Sequence, residues 1–194
     1  MGLNDVVSEV YESFLQNTES ARVVLIHARS RFRTALLSRI LSGSDIRVFY
    51  YAMGADDVDV WTFLAGLTHD IAEQMPTFGT RVSQVMMDSP ADLKHLVEAL
   101  GRDLAELSDE PFLLLLDEFD RADIMDELQQ FIEALIGVLP PQCRLVLSGR
   151  GMPRLAWMSL IAQNKAVILR DEELITRDFY DGQTSGDVRL HISA

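Results

Sequence analysis

Four consecutive leucines, Leu113 to Leu116, run directly into Asp117-Glu118. An apolar strand that delivers two carboxylates to its end suits metal-assisted phosphoryl transfer. One acid holds Mg²⁺ through water, and its neighbour orients or deprotonates the attacking water. On that reading Asp117 is the metal residue and Glu118 the catalytic one. The alternative is a strand that ends in a solvated acidic turn, Asp117 to Asp120. The same chemistry needs a phosphate-binding loop after another strand, where glycines let main-chain N–H groups close around phosphates and a lysine reaches the terminal ones.

The candidate loop is His27-Ala28-Arg29-Ser30-Arg31-Phe32-Arg33-Thr34, after the apolar run Arg22 to Ile26. With Arg33-Thr34 set on the Lys-Ser/Thr of such a loop, His27 and Phe32 stand where its two glycines belong. A bulky side chain is disfavoured where φ > 0 or close backbone approach is required. Arginine is also no neutral replacement for a lysine acting as a compact point charge. Arg29, Arg31 and Arg33 can still gather an anion at the N-terminus of the helix expected near Thr34. Thr34 would join Asp117 on Mg²⁺ if nucleotide binds. The competing reading is internal: these arginines neutralise Asp117, Glu118 and Asp120 across the sheet edge. Because Phe32 obstructs wrapping of a phosphate, the internal pairing is favoured. Arg150, after the apolar run Leu145 to Leu147, either contacts a terminal phosphate by bidentate hydrogen bonding or pairs with Glu118 or Asp120.

Elements that position these residues follow from periodicity. Val6, Val7, Val10, Phe14 and Leu15 predict an amphipathic helix over Leu3 to Leu15. Strands are expected at Arg22 to His27, Ile46 to Tyr51, Phe112 to Leu116, Arg144 to Ser148 and Ala166 to Leu169. Helices are expected from Thr34 to Gly43, from an Asp57 or Asp59 cap to Met75, from Asp92 through Leu107, from Ile124 to Leu139 and around Leu155 to Ala162. The stretch Thr77 to Ser89 gives no clear pattern. Strands alternating with helices imply parallel βαβ units, hence an α/β three-layer sandwich with a mainly parallel central sheet. Phe112 to Leu116, with no polar face, is expected at or near the centre, flanked by the Arg22 and Arg144 strands.

Composition limits the alternatives. The 194 residues carry 17 Lys and Arg against 30 Asp and Glu, a formal charge of −13, with 48% hydrophobic residues. That describes a foldable domain, and the acidity argues against direct nucleic-acid binding by this segment. The single Cys143 cannot form an internal disulfide, no apolar run is long enough for a membrane span, and no signal peptide opens the chain, so a cytoplasmic location is expected. His27 and His69 lack partners at ligand spacing and read as core or partly buried histidines. Met86-Met87, Met152 and Met158 read as gap-filling core or loop methionines.

The order of motifs resembles the signal-transduction ATPases with numerous domains, the STAND class of P-loop NTPases. It is most similar to the ATPase domain of bacterial regulators like the maltose-regulon activator. The residues that carry the resemblance are Phe49-Tyr50-Tyr51 followed by Asp56-Asp57, Asp59 and Trp61 to Leu64; the Walker B-like Leu113 to Glu118; Val138-Leu139-Pro140-Pro141; Arg144 to Arg150 with Pro153; and Leu169 to Leu174. The departure is the Walker A loop. The resemblance covers about residues 20 to 180 and implies 21–180 as a P-loop NTPase-like domain; the amphipathic pattern makes 1–20 a flanking helix, and the polar stretch from Asp181 makes 181–194 a linker and the start of a possible following domain. Ser185 to Ala194 resembles the first strand of the winged-helix domain of bacterial transcriptional activators. It implies a regulatory module with a degenerate nucleotide site, acting through other domains of a longer chain or a regulatory protein. ATP or ADP with Mg²⁺ is the implied cofactor, or none if the site has closed. The alternatives are a working ATPase switch using Arg33 with Asp117 and Glu118, and a purely structural interaction domain. No direct nucleic-acid or membrane partner is expected.

Overall fold

The computed structural model describes residues 3–43, 46–88 and 92–174. Its five strands are short apolar runs: β1 (Val23–Ile26), β2 (Arg47–Ala52), β3 (Phe112–Asp117), β4 (Cys143–Ser148) and β5 (Ala166–Leu169). They form one all-parallel sheet in the order β2-β3-β4-β1-β5. All four residues of β1 are buried, as are Phe112 to Leu116 of β3. Strands without a polar face demand cover on both sides, and two helical layers supply it.

On one face α1 (Leu3–Thr18), α2 (Arg33–Gly43) and α8 (Asp171–Leu174) pack Val10, Phe14, Leu36, Ile40 and Leu174 against the sheet. They meet Val24, Ile26, Leu113, Leu115, Val146 and Leu169. The other face meets α3 (Val60–Ala72), α4 (Thr80–Met87), α5 (Leu93–Ala105), α6 (Asp126–Val138) and α7 (Trp157–Ala162). The architecture is the expected three-layer α/β sandwich.

Strand order differs from expectation in one respect. β3 lies between β2 and β4, and the middle strand is β4, which separates β3 from β1. Leu145, Val146, Leu147 and Ser148 are all buried, so β4 lacks a polar face as fully as β3 does. Hydrophobicity cannot rank strands that are all covered twice. The arrangement has a functional consequence. The chain leaves β1 through α2 on one face and leaves β4 through α7 on the other. Neighbouring strands whose connections diverge in this way open a crevice beyond their carboxyl ends.

Local chemistry sets the helix starts. Asp59 caps α3, its carboxylate accepting the Thr62 N–H at 2.8 Å while the Thr62 hydroxyl accepts from the Asp59 amide, a reciprocal capping box. The neighbouring candidate Asp57 is buried, accepting from the Tyr51 hydroxyl at 2.8 Å and the Gly54 N–H at 2.6 Å. Asp92 caps α5 through the His95 N–H. The helix expected to reach Met75 ends at Ala72, and the patternless stretch beyond it holds α4. Its first turn is held by Asp103 of α5, which accepts the Val82 N–H at 3.1 Å and pairs with the Arg81 guanidinium at 3.0 Å.

A 3₁₀ turn, Phe119–Ile124, joins β3 to α6 and buries the Phe119 ring. Cys143 is buried, and burial pushes its thiol up to about 12. Met152 is an exposed loop residue and Met86 packs partly buried against the core, as expected, whereas Met87 of α4 and Met158 of α7 are exposed on their helices. His27 is half-buried and His69 exposed. The expected linker and following strand at 181–194 lie outside the described residues.

Candidate functional site

Alternation along β3 puts Leu113 and Leu115 under α1 and α2, and Asp117 on the same face at the carboxyl end. One Asp117 oxygen accepts the Glu118 N–H at 2.9 Å, and the other lies 3.5 Å from the Tyr50 hydroxyl of β2. Burial first, and then the Asp117 charge, raise the Tyr50 phenol above its ordinary value. Glu118 sits at φ 54, in the left-handed region uncommon for residues other than glycine. Its Oε2 faces Arg121 Nε at 3.7 Å and Arg150 Nη2 at 4.0 Å, separations of charge attraction rather than hydrogen bonding. The exposed Arg150 is tied down through its main chain, whose N–H donates to Asp120 Oδ1 at 2.8 Å.

Ser148 ends β4. Ile26 of β1 is its register partner, and it follows Leu147, the partner of Leu116. It therefore lies between the ends of β1 and β3, fully buried, with no hydrogen-bond partner for its hydroxyl among the described residues.

The loop between β1 and α2 satisfies itself. Arg29 N–H donates to His27 Nδ1 at 3.2 Å, Ser30 N–H to the His27 carbonyl at 2.9 Å, and Phe32 N–H to the Ser30 hydroxyl oxygen at 3.2 Å. Arg33 N–H donates to the Ser30 carbonyl at 3.3 Å. Arg31 N–H turns instead to Asp171, the residue that opens α8 beyond β5, at 3.0 Å. The same carboxylate accepts from the Ser30 hydroxyl at 2.8 Å and from Arg31 Nε at 2.9 Å. Burial alone would push the Asp171 carboxyl up. The hydrogen bonds from the Arg31 side chain, Ser30 and the Arg31 amide outweigh it, so the group lies below its ordinary value. Arg33 Nη1 is buried without a hydrogen-bond partner among the described residues, and Thr34 and Arg29 are exposed.

No family model matches the chain, and no curated protein sequence does. Solved structures do. A chain of Drosophila ORC bound to DNA superposes with TM-score 0.54 at 15% identity, over 87% of this chain and 93% of that one. A chain of Drosophila ORC bound to AT-rich DNA and Cdc6 gives 0.53 at 14% identity, over 95% and 66%. A Walker-type ATPase of Pyrococcus abyssi gives 0.50 at 12% identity, over 90% of this chain and 58% of that one. The fold is P-loop NTPase-like.

A P-loop NTPase-like fold brings Asp117, Glu118 and Arg150 to one sheet edge and sets the 27–33 loop beside them, on the far side of Ser148. It does not deliver the three loop arginines to the β3 acids as a group. Arg31 pairs with Asp171, while the cations near Glu118 are Arg121 and Arg150. The residues do not fit a triphosphate wrapped by this loop, because the five amides from Arg29 to Arg33 already have acceptors within the chain. Among the described residues no group of three or more His, Cys, Asp or Glu is arranged to hold a metal ion.

Sequence reasoning missed Ser30, Ser148, Tyr50 and Asp171. Asp171 had a usable signal: it lies just past the end of β5, after Arg170, and every strand end on the carboxyl edge of such a sheet is a place to look for site residues.

Proposed function

We propose that this chain is a regulatory domain of a bacterial signalling or transcription-regulating protein, STAND-like, with a degenerate nucleotide site. It acts through contacts with other domains of a longer chain or with a regulatory protein rather than through turnover. The observation that carries this reading is the self-satisfied loop. A phosphate-binding loop works by aiming preorganised N–H groups at its ligand, and here those donors are spent on His27, Ser30 and Asp171. The charge of −13 supports protein partners over nucleic acid or an anionic membrane surface for this segment. Among the described residues no helix is long and apolar enough to cross a membrane.

A second reading, a nucleotide-binding switch, is favoured by one observation: Arg33 Nη1 and Ser148 Oγ are buried without hydrogen-bond partners among the described residues. Orphaned buried polar atoms cost about 1–3 kcal/mol each. A ligand reaching both would remove that cost, with Arg33 facing phosphate, Arg150 beside it, and Thr34 and Asp117 available to Mg²⁺.

Titration with ATP and Mg²⁺ separates the two. The regulatory reading predicts no resolvable heat in calorimetry and an unchanged melting temperature at ATP concentrations that would saturate a working switch, any binding to the occupied loop being far weaker. A ligand that binds the folded state at 100 times its Kd adds about 2.7 kcal/mol of stability, and a melting-temperature rise of that order would favour the switch.

A further inference from the structure

Three donors from the loop converge on both oxygens of one carboxylate. The Ser30 hydroxyl and the Arg31 N–H reach Asp171 Oδ1 at 2.8 and 3.0 Å, and Arg31 Nε reaches Oδ2 at 2.9 Å. A hydroxyl, a main-chain amide and a guanidinium at the entry to an 11-residue helix form a donor set that suits phosphoryl oxygens as well as carboxylate oxygens. The carboxylate they hold comes from the far end of the described chain.

Asp171 is the first residue of α8, and α8 is fastened at two further points. Leu174 is fully buried in the cluster shared with α1 and α2, and the Glu173 carbonyl accepts from Asn17 Nδ2 of α1 at 2.8 Å. A phosphoryl group approaching the Ser30 and Arg31 donors meets a resident anion of like charge. It cannot use those donors until the Asp171 side chain leaves them.

We propose that Asp171 is an internal anion that occupies the phosphoryl-binding donors of the loop, so that a polyphosphate ligand and the docked Asp171 compete for one site. The proposal deepens the degenerate-site reading and rests on it. It names the group that keeps the loop closed and the segment that responds when the loop is filled. Competition is reciprocal: a ligand that displaces Asp171 loosens α8, and loosening α8 opens the loop to the ligand.

The test compares wild type with Asp171→Ala and with Glu172→Ala. The second removes the same charge from an exposed neighbour and so controls for general electrostatics. Calorimetry with inorganic tripolyphosphate is the primary measurement. Asp171→Ala is expected to bind about tenfold more tightly than wild type, within the usual range of coupling between sites, and Glu172→Ala to stay close to wild type. If Asp171→Ala fails to fold, Asp171→Ser carries the same comparison.

The second measurement is backbone hydrogen exchange in wild type, where saturating tripolyphosphate is expected to speed exchange at residues 171–174. Equal affinities for Asp171→Ala and Glu172→Ala overturn the proposal. So does ligand binding that leaves exchange at 171–174 unchanged, and so does absence of binding in every variant. Failure of the degenerate-site reading shows elsewhere, as turnover of ATP by wild type, and leaves the affinity comparison intact.

Discussion

Gly149 at the end of β4 lies hard against Asp120 of the turn that follows β3. A Cβ at Gly149 would stand 2.7 Å from Asp120 Oδ1 and 2.9 Å from the Asp120 main-chain nitrogen. The same carboxylate accepts the Arg150 N–H. The ends of two neighbouring strands are thus locked together beside Glu118, with the Phe119 ring buried beneath.

Gly149→Ala is therefore expected to destabilise the fold. Backbone cannot swing aside as a long side chain can, and forced overpacking costs about 1–3 kcal/mol. Urea denaturation should show a lowered midpoint with unchanged slope; an unchanged midpoint would mean the two strand ends are looser than described.

Asp59→Ala removes the cap of α3 and should cost about 1 kcal/mol, within the range of about 0.5–2 for lost N-caps. Asp59→Asn, which keeps an acceptor for the Thr62 N–H, should retain most of it. Equal losses in the two variants by denaturation would show that charge, and not the cap hydrogen bond, holds the helix start.

Arg33→Met tests the buried guanidinium nitrogen that has no hydrogen-bond partner among the described residues. Removing a buried donor without an acceptor relieves about 1–3 kcal/mol, and methionine keeps a flexible apolar stem. Stability is expected to hold or rise. A fall of more than about 1 kcal/mol would show that Arg33 makes a contact worth more than its desolvation.

Asp171 also contributes to acid sensitivity. Its folded pKa lies below the ordinary carboxylate value, which is about 3.9 for an unfolded aspartate. The unfolded chain therefore takes up the proton first as pH falls. The stabilisation is fully present above about pH 4 and is lost as pH drops through the lower folded value. Asp171→Asn should flatten this part of the acid limb in denaturation midpoints measured between neutral pH and about pH 3. An acid limb identical to wild type would mean that other carboxylates, Asp59 and Asp92 among them, account for it entirely.

Much of the fold was legible because its signals are local. The unbroken apolar runs at Val23 to Ile26, Phe112 to Leu116 and Leu145 to Leu147 announce strands covered twice, and Asp59 and Asp92 announce helix starts. Strand order was not legible, since β1, β3 and β4 carry equivalent patterns and β1 takes its place beside β4 through a pairing of residues more than 100 positions apart. Two acids one residue apart show the same limit at small scale. Asp57 and Asp59 are equally good caps on paper, and only the packing of Tyr51 against the turn assigns Asp57 to its hydroxyl. At the site, the missing glycines told of a loop unable to wrap a phosphate. They could not tell that Asp171, 140 residues from Arg31, would fill the place.

Steady-state phosphate release from ATP by the wild-type chain with Mg²⁺ tests the central claim most directly. A loop whose main-chain donors are engaged internally lacks groups that each commonly contribute about 10²–10³ in rate, so release is predicted to be indistinguishable from the protein-free background. Turnover at about 1–10³ s⁻¹, typical of enzymes, that disappears in Glu118→Gln would contradict it.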